Sequence, residues 1–341
     1  MQIALHRLSL VSLVCIFLVV LAGSVVRMTG SGMGCPDWPK CFGYYIPPTS
    51  IETLTWTENR TFDAGNIIIH REGLLVAKSD FTSSANFNPE NWEAYTKHDY
   101  ASFNATHTWV EFVNRLLGAF TGLPVLALFI CSLFYLKRDP IITASAFGGL
   151  VLLGFEAWLG KEVVDGNLIP HQITYHMFGA LALVALFTFI VVRTKPNRLT
   201  FRAKRDKAIV RLGLTAIALL LVQIYLGTSV REEVDAIGKS VLLAMPDWVE
   251  ALSVKFKIHR TFSIAVLAIV MTFAVRVIRG RTISTWPRIL IASVFLEILF
   301  GMGLVYMDLP GPLQPLHLLF AFFSFAMILG ILLSYLQKTV E

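Results

Sequence analysis

The chain carries little charge for its length. Only 15% of its 341 residues are acidic or basic, whereas 55% are hydrophobic. Soluble globular domains have about a quarter charged residues, so this composition excludes that class and predicts an integral membrane protein. The formal net charge of +6 is explained by basic loops on one side of a membrane, so nucleic-acid binding is a poor competing explanation.

Cysteine is also scarce, with four residues in the chain. Cys15 and Cys131 fall within apolar segments, where cysteine serves as a small packing residue. Cys35 and Cys41 enclose a short segment with two prolines and a tryptophan, which favours a disulfide in an oxidising compartment over two free thiols. Two cysteines alone supply too few ligands for a closed metal site.

The N-terminus lacks the small-residue cleavage site of a signal peptide. Its apolar run is long and ends at Gly23-Ser24-Val25-Val26-Arg27, so we expect a retained helix. An arginine-rich transit segment is absent as well. Together with the compact length, this absence favours a bacterial inner membrane.

Long apolar runs, in contrast, are abundant. A helix needs about twenty residues to cross roughly 30 Å of hydrocarbon, and lipid leaves no partner for the backbone groups of other structures. Eight runs qualify: about 7–27, 108–136, 141–164, 171–193, 208–231, 254–279, 286–306 and 313–336. The predicted fold class is an all-α integral membrane protein with eight transmembrane helices.

The charges of the short loops predict the orientation. Basic residues collect in the links after the second, fourth and sixth runs: Lys137, Arg138, Arg193, Lys195, Arg198, Arg202, Lys204, Arg205, Lys207, Arg276, Arg279, Arg281 and Arg288. Acidic residues collect in the opposite links. The basic links and both termini are therefore predicted to be cytoplasmic. The long segment of about 28–107, between the first two runs, then lies outside.

The second half of the chain repeats the first. Glu156 and His176 are twenty residues apart, as are Glu297 and His317, and each pair joins the middle of one apolar run to the start of the next. Other similar segments recur in the same order. This order predicts two pseudo-repeated four-helix bundles, which commonly hold cofactors between facing helices. The predicted halves are residues 1–195 and 196–341.

Histidines lie at a matched depth in this repeat. His259 and His317 each lie a few residues into a helix that runs inward, roughly 6–9 Å below the outer surface. Such a pair suits the axial positions of a haem iron, whereas zinc would need further ligands nearby. Interhelical hydrogen bonding is the alternative for a lone histidine. In the first half, His176 matches His317, but Asn114 stands where His259 stands in the second.

Four arginines cluster near the same outer surface: Arg27, Arg115, Arg231 and Arg260. A guanidinium matches a carboxylate, so outward-pointing haem propionates are candidate partners, and contact with lipid headgroups is the alternative. Glu156 and Glu297 lie deeper in the membrane. They fit either protonated structural donors or proton-relay groups.

Together these residues resemble the haem A synthase family, whose members oxidise the C8 methyl group of haem O to a formyl group. The resemblance covers nearly the whole chain and rests on these motifs: Gly23 to Gly32, the loop of Cys35 and Cys41, Glu111-x-x-Asn114-Arg115, Asn167-Leu168-Ile169-Pro170 with His176, His259-Arg260, and His317. It implies a permanent haem b held by His259 and His317. It also implies a catalytic haem O site in the first half, with Glu111 essential and the disulfide supporting the site.

Asn114 departs from the family pattern, which usually reads Glu-x-x-His-Arg. Asparagine is a poor iron ligand, so three arrangements are open. His176 alone holds a five-coordinate haem O with a vacant face, or His107 supplies the second ligand from about 10 Å along the helix, or His171 does. We favour the vacant face.

As a hypothesis for the mechanism, electrons enter through the haem b of the second half and an oxidant is activated beside the C8 methyl group of haem O. Glu111 either handles protons or polarises the intermediate alcohol. The expected partners are haem O, a haem O synthase, membrane lipid, and a quinol or other electron donor. Two other functions compete. One is a di-haem membrane cytochrome that carries electrons from quinol, which Asn114 disfavours. The other is a haem-binding transporter or assembly protein.

Overall fold

The computed structural model describes residues 1–71, 73–96, 102–166, 168–196, 206–239, 248–280 and 285–337. Several residues used above lie outside these ranges: Asn167, Arg198, Arg202, Lys204, Arg205 and Arg281. The predicted loop charges at these positions are therefore not described further.

Within these ranges the structure has eight long helices, and each is long and apolar enough to cross a membrane. They are α1 Gln2–Met28, α2 Ala105–Leu133, α3 Pro140–Asp165, α4 Pro170–Thr194, α5 Lys207–Lys239, α7 Val254–Arg279, α8 Trp286–Tyr306 and α9 Leu313–Leu336, with a short α6 at Trp248–Ala251. The predicted fold class is confirmed, and the chain is a multi-pass, mostly helical membrane protein.

Helix α5 continues well past the predicted end at residue 231. The apolar run stops there because charged residues follow. These residues extend the helix, since Arg231 donates to Asp235 one turn later at 2.8 Å, and such a pair supports a helix. Further along, Glu233 accepts hydrogen bonds from the backbone N and the hydroxyl of Ser253, at 3.1 and 2.6 Å, just before α7.

Two compact units make up the chain. The larger comprises residues 1–21, 121–154 and 177–341, and the smaller comprises residues 22–120 and 155–176. In the larger unit, α5 packs against α7 and α9, and α8 packs against the same two helices. This ring of neighbours is a four-helix bundle, with Leu220, Phe273 and Phe322 buried in its core. The division of the chain into repeated halves at residue 195 stays a prediction.

The smaller unit contains the segment between α1 and α2 and the adjoining turns of the helices. Its described residues form five short strands: β1 Thr61–Phe62, β2 Ile67–His70, β3 Gly73–Ala77, β4 Phe81–Thr82 and β5 Trp92–Ala94. Strand β1 pairs with β4, and β3 lies between β2 and β5, always antiparallel. Because side chains alternate along a strand, Ile67 packs with Leu54 while its neighbour Ile68 packs with Trp92 on the other face.

Candidate functional site

Two histidines face each other in the four-helix bundle. His259 lies in the second turn of α7 and His317 in the second turn of α9. Their ring centroids are 6.5 Å apart, and the ring planes cross at 84°. Two imidazoles on opposite sides of one metal ion have centroids roughly 6 Å apart, because each metal–nitrogen bond is about 2 Å long. The pair is therefore spaced for a shared metal ion.

The ring of His317 is oriented by α8. Its Nδ1 lies 2.9 Å from the backbone carbonyl oxygen of Glu297. Because a carbonyl only accepts, Nδ1 donates the hydrogen bond, and this leaves Nε2 able to bind a metal. Gly301 gives the ring its space, since a Cβ at that position would lie 3.1 Å from Cε1 of His317.

His259 also faces a glycine. A Cβ on Gly227 of α5 would lie 3.1 Å from Cε1 of His259. One turn earlier, Gln223 donates to the backbone carbonyl of His259 at 3.1 Å. The Nδ1 atom of His259 is buried without a hydrogen-bond partner among the described residues. Buried polar atoms are normally satisfied, so this nitrogen is available to a partner other than the described residues.

These contacts fit a haem iron better than a zinc ion. Within the described ranges, no group of three or more His, Cys, Asp or Glu side chains is placed to hold one metal. A structural zinc site takes four protein ligands, whereas a haem iron needs at most two from the protein. The two histidines are thus sufficient for haem.

His176 marks the corresponding position in the smaller unit. It lies in the second turn of α4, and 42% of its side chain is exposed. A Cβ on Gly160 of α3 would lie 3.6 Å from its Cε1. The Nδ1 atom of His176 lies 2.8 Å from Oε2 of Glu156. The angle between them does not meet hydrogen-bond geometry, so this is a close polar contact rather than a formed hydrogen bond.

Asn114 faces a glycine as His259 does. A Cβ on Gly23 of α1 would lie 3.8 Å from Oδ1 of Asn114, and that oxygen is buried without a hydrogen-bond partner among the described residues. His259 meets Gly227 in the same way in the larger unit. These contacts support the alignment that places asparagine where the other repeat has a histidine.

Glu111 and Arg115, one turn apart on α2, hold the disulfide loop. Glu111 is only 3% exposed. Its Oε2 accepts a hydrogen bond from the backbone N of Cys35 at 2.9 Å, and its Oε1 contacts the guanidinium of Arg115. Arg115 also donates to the backbone carbonyls of Asp37 at 2.6 Å and Lys40 at 3.1 Å. Both side chains are therefore engaged with the loop.

The predicted disulfide between Cys35 and Cys41 is present. Beside it, the backbone N of Gly43 donates to the carboxylate of Asp37 at 2.9 Å. Burial raises the pKa of Asp37, and this hydrogen bond opposes the effect. Burial also raises the pKa of Tyr95, whose hydroxyl donates to a loop carbonyl. The loop is thus a packed structure with buried polar contacts.

The other predicted arginines differ in their surroundings. Arg231 contacts Gln314 of α9 as well as the aspartate one turn later. Arg260 is exposed, and its guanidinium carbon lies 5.6 Å from the ring centroid of Phe256. Arg27 is half-buried in the last turn of α1. Their binding to propionates stays a prediction.

The two alternative ligands lie at helix starts. His107 is in the first turn of α2, and a Cβ on Gly34 would lie 2.5 Å from its backbone carbonyl. His171 is exposed in the first turn of α4, with its ring 6.0 Å from that of Tyr175. Their roles as replacement iron ligands stay predictions.

Some contacts at the site were missed from the sequence. Gly23 and Gly227 begin similar segments, Gly23-Ser24-Val25-Val26-Arg27 and Gly227-Thr228-Ser229-Val230-Arg231. Their sequence signal was therefore present, but their position beside Asn114 and His259 was not recognised. Thr108, whose hydroxyl donates to a loop carbonyl at 2.8 Å, gave no signal. Its partner is distant in the sequence, and no local pattern encodes such a contact.

Comparisons with known proteins identify the family. The family model described as cytochrome oxidase assembly protein matches residues 6–64 and 82–329. A protein named "Heme A synthase" from Shewanella oneidensis is 23% identical over 88% of this chain and 87% of its own length. Proteins of the same name from Flavobacterium johnsoniae and Bradyrhizobium sp. are 24% and 26% identical, over 91% and 89% of this chain and 91% and 83% of their own lengths. Because the family model covers most of the sequence, the chain belongs to the cytochrome oxidase assembly protein family.

Proposed function

We propose that this protein is a haem A synthase, an oxidoreductase that converts the C8 methyl group of haem O to a formyl group. The observation that carries the proposal is the similarity to relatives named heme A synthase, which extends over 88–91% of the chain in the three compared above. The facing histidines of the bundle support it, because they supply the ligands that a haem protein needs.

The second half is proposed to hold haem b through His259 and His317. A haem held by these two histidines would supply one-electron transfer. The protein's part is orientation: α8 fixes the ring of His317 through the carbonyl of Glu297. Arg260, which is exposed, is proposed to bind a propionate, and Arg231 is proposed to assist.

The first half is proposed to hold haem O as the substrate through His176. Asn114 stands where the second half has His259, and asparagine is a poor iron ligand, so His176 alone would hold the group and an oxidant could bind beside Asn114. Glu111 is the proposed catalytic carboxylate, one helical turn before Asn114. Its contacts with Cys35 and Arg115 support a second task, which is to keep the disulfide loop beside the site. Arg27 and Arg115 are proposed to contact propionates.

The setting is proposed from the charge pattern. We place the protein in a bacterial inner membrane with both termini in the cytoplasm, because the basic links require that side. Haem O would be handed over by a haem O synthase, and a quinol or another donor would supply electrons.

The function is tested by haem analysis in cells that make haem O but lack a haem A synthase. The full chain and the His176→Ala, Glu111→Ala and Glu58→Ala variants are expressed, and the extracted haems are separated by chromatography. The parent is expected to yield haem A, and His176→Ala to yield haem O without haem A. Glu58 is an exposed loop residue, so its variant serves as the control.

Two results would overturn the proposal. Haem b alone in the purified parent indicates an electron-carrying cytochrome, and no retained haem indicates a transporter or assembly protein. If Glu111→Ala makes as much haem A as the parent, Glu111 is not catalytic.

A further inference from the structure

A buried carboxylate lies against the histidine of the first half. Glu156 of α3 is 5% exposed, and neither of its side-chain oxygens has a hydrogen-bond partner among the described residues. Nδ1 of His176 lies beside this carboxylate, 2.8 Å from its Oε2 atom. A buried carboxylate without partners is costly, so its retention requires an explanation.

The matching residue of the second half, Glu297, has different contacts. There the Nδ1 atom of His317 meets the backbone carbonyl of Glu297, at 2.9 Å. The carboxylate of Glu297 instead accepts from the hydroxyl of Ser324 at 3.4 Å, and Ser324 lies 2.8 Å from the hydroxyl of Ser293. The side chain of Glu297 is therefore bound to the hydroxyl of Ser324, which is itself bonded to Ser293, rather than to the ring nitrogen of its histidine.

The sequence accounts for this difference. Ser324 lies seven residues after His317, and the residue seven after His176 is Leu183. Ser293 lies four residues before Glu297, and the matching residue before Glu156 is Leu152. Leucine offers no hydroxyl at either position. The first half thus lacks the groups that hold the carboxylate in the second half.

We propose that Glu156 is a positioning residue that makes His176 a stronger electron donor to the haem O iron than His317 is to the haem b iron. Oε2 of Glu156 lies 2.8 Å from Nδ1 of His176. A carboxylate beside the outer nitrogen of a metal-binding histidine raises the basicity of the inner nitrogen. The inference rests on the proposed haem site at His176.

The difference matches the tasks of the two proposed sites. An electron-rich axial ligand favours activation of an oxidant on the opposite face of a haem, whereas a carbonyl-bonded histidine pair suits electron transfer. The repeat therefore carries two features that separate its halves. Asn114 removes one ligand, and Glu156 strengthens the other.

The test reads the iron–histidine bond directly. Full-length protein carrying haem O and haem b is reduced, and its resonance Raman spectrum is recorded for the parent, Glu156→Gln and Glu162→Gln. Only a five-coordinate ferrous haem gives an iron–histidine stretching band, so a bis-histidine haem b does not contribute. Glu162 lies on the same helix but bonds to Lys161, and its variant is the matched control.

Glu156→Gln is expected to move the band to lower frequency, because an amide beside Nδ1 raises the basicity of the imidazole less than a carboxylate does. Retention of haem O should also fall roughly 10- to 100-fold, the usual effect of losing such a partner. Glu162→Gln should leave the band in place. An unmoved band in Glu156→Gln, or an equal shift in Glu162→Gln, overturns the inference while leaving the proposed function intact.

A second variant covers the case in which Glu156→Gln retains no haem O. Glu156→Asp keeps the carboxyl group but withdraws it by one methylene group, so a partial shift to lower frequency is expected. An unchanged band in that variant overturns the inference. If the parent itself gives no iron–histidine band, the proposed five-coordinate site is wrong, and the inference is overturned together with it.

Discussion

At the scale of single residues, small differences in space separate the two repeats. Gly301 and Gly160 occupy matching positions on α8 and α3, each beside the histidine of the following helix. A Cβ would lie 3.1 Å from Cε1 of His317 in the first case and 3.6 Å from Cε1 of His176 in the second. The first distance is tighter than ordinary van der Waals contact, and the second is not.

Gly301→Ala is therefore expected to disturb the haem b site, whereas Gly160→Ala is not expected to disturb the haem O site. Alanine favours a helix over glycine by about 1 kcal/mol, so neither change should harm the helix itself. The measurement is the low-spin haem b absorption per mole of purified protein, with haem O content measured alongside. Equal losses in both variants, or none in Gly301→Ala, would contradict the steric argument.

The residues of the site differ in how far the sequence predicted them. The repeat spacing predicted that His259 and His317 lie at a matched depth on facing helices, because a helix of fixed period places residues on a defined face. The hydrogen bond between Glu111 and the backbone of Cys35 was not predicted, since the two residues are 76 apart in the sequence and meet only through tertiary packing. The spacing predicted that Glu156 and Glu297 match. It gave no sign that their carboxylates have different partners.

At the scale of elements, hydropathy predicted the helices but not the strands. The predicted spans 254–279, 286–306 and 313–336 coincide with the observed helices, because the thickness of the membrane sets the length of an apolar run. The strands between α1 and α2 have only two to five residues, which is too short for a reliable alternation pattern. Pairing with distant residues determines them instead.

Gly34, the residue just before the disulfide loop, lies close to the backbone of α2. A Cβ there would lie 2.5 Å from the backbone carbonyl of His107 and 2.8 Å from the backbone N of Thr108. Backbone atoms cannot move aside as a flexible side chain can. Gly34→Ala is therefore expected to push the loop off the helix, at a cost of roughly 1–3 kcal/mol for overpacking.

The measurement for Gly34→Ala is limited proteolysis of the loop in purified protein, together with the thermal midpoint. Gly118→Ala, on α2, is the control, because nothing lies within 4 Å of a Cβ at that position. It should be neutral or slightly stabilising. Unchanged protease resistance in Gly34→Ala would show that the loop is not anchored at this approach.

At the scale of the whole molecule, the first turns of α1 lie at the same end of the larger unit as residues of two basic links. The hydroxyl groups of Ser9 in α1 and Thr194 in α4 lie 3.3 Å apart. Arg193 donates two hydrogen bonds to Asp139, at 2.9 and 3.0 Å, beside the start of α3. A single orientation therefore puts the N-terminus and two of the basic links on the same side, as the positive-inside rule requires.

The orientation predicts which exposed positions an impermeant maleimide reaches in intact spheroplasts. Ser84→Cys, in the long loop, should be labelled before lysis, and Arg138→Cys should be labelled only after it. Both positions are exposed, so access to the reagent depends on the side of the membrane alone. The free cysteines Cys15 and Cys131 are first replaced by alanine to remove background.

Labelling of Arg138→Cys before lysis, with Ser84→Cys protected, would reverse the proposed orientation. That result would also place the bond between Cys35 and Cys41 in the reducing cytoplasm, where such bonds do not persist. The state of that cysteine pair is therefore a second measurement of the same prediction. In the unreduced chain it should stay unlabelled on either side of lysis, and it should become labelled only after reduction.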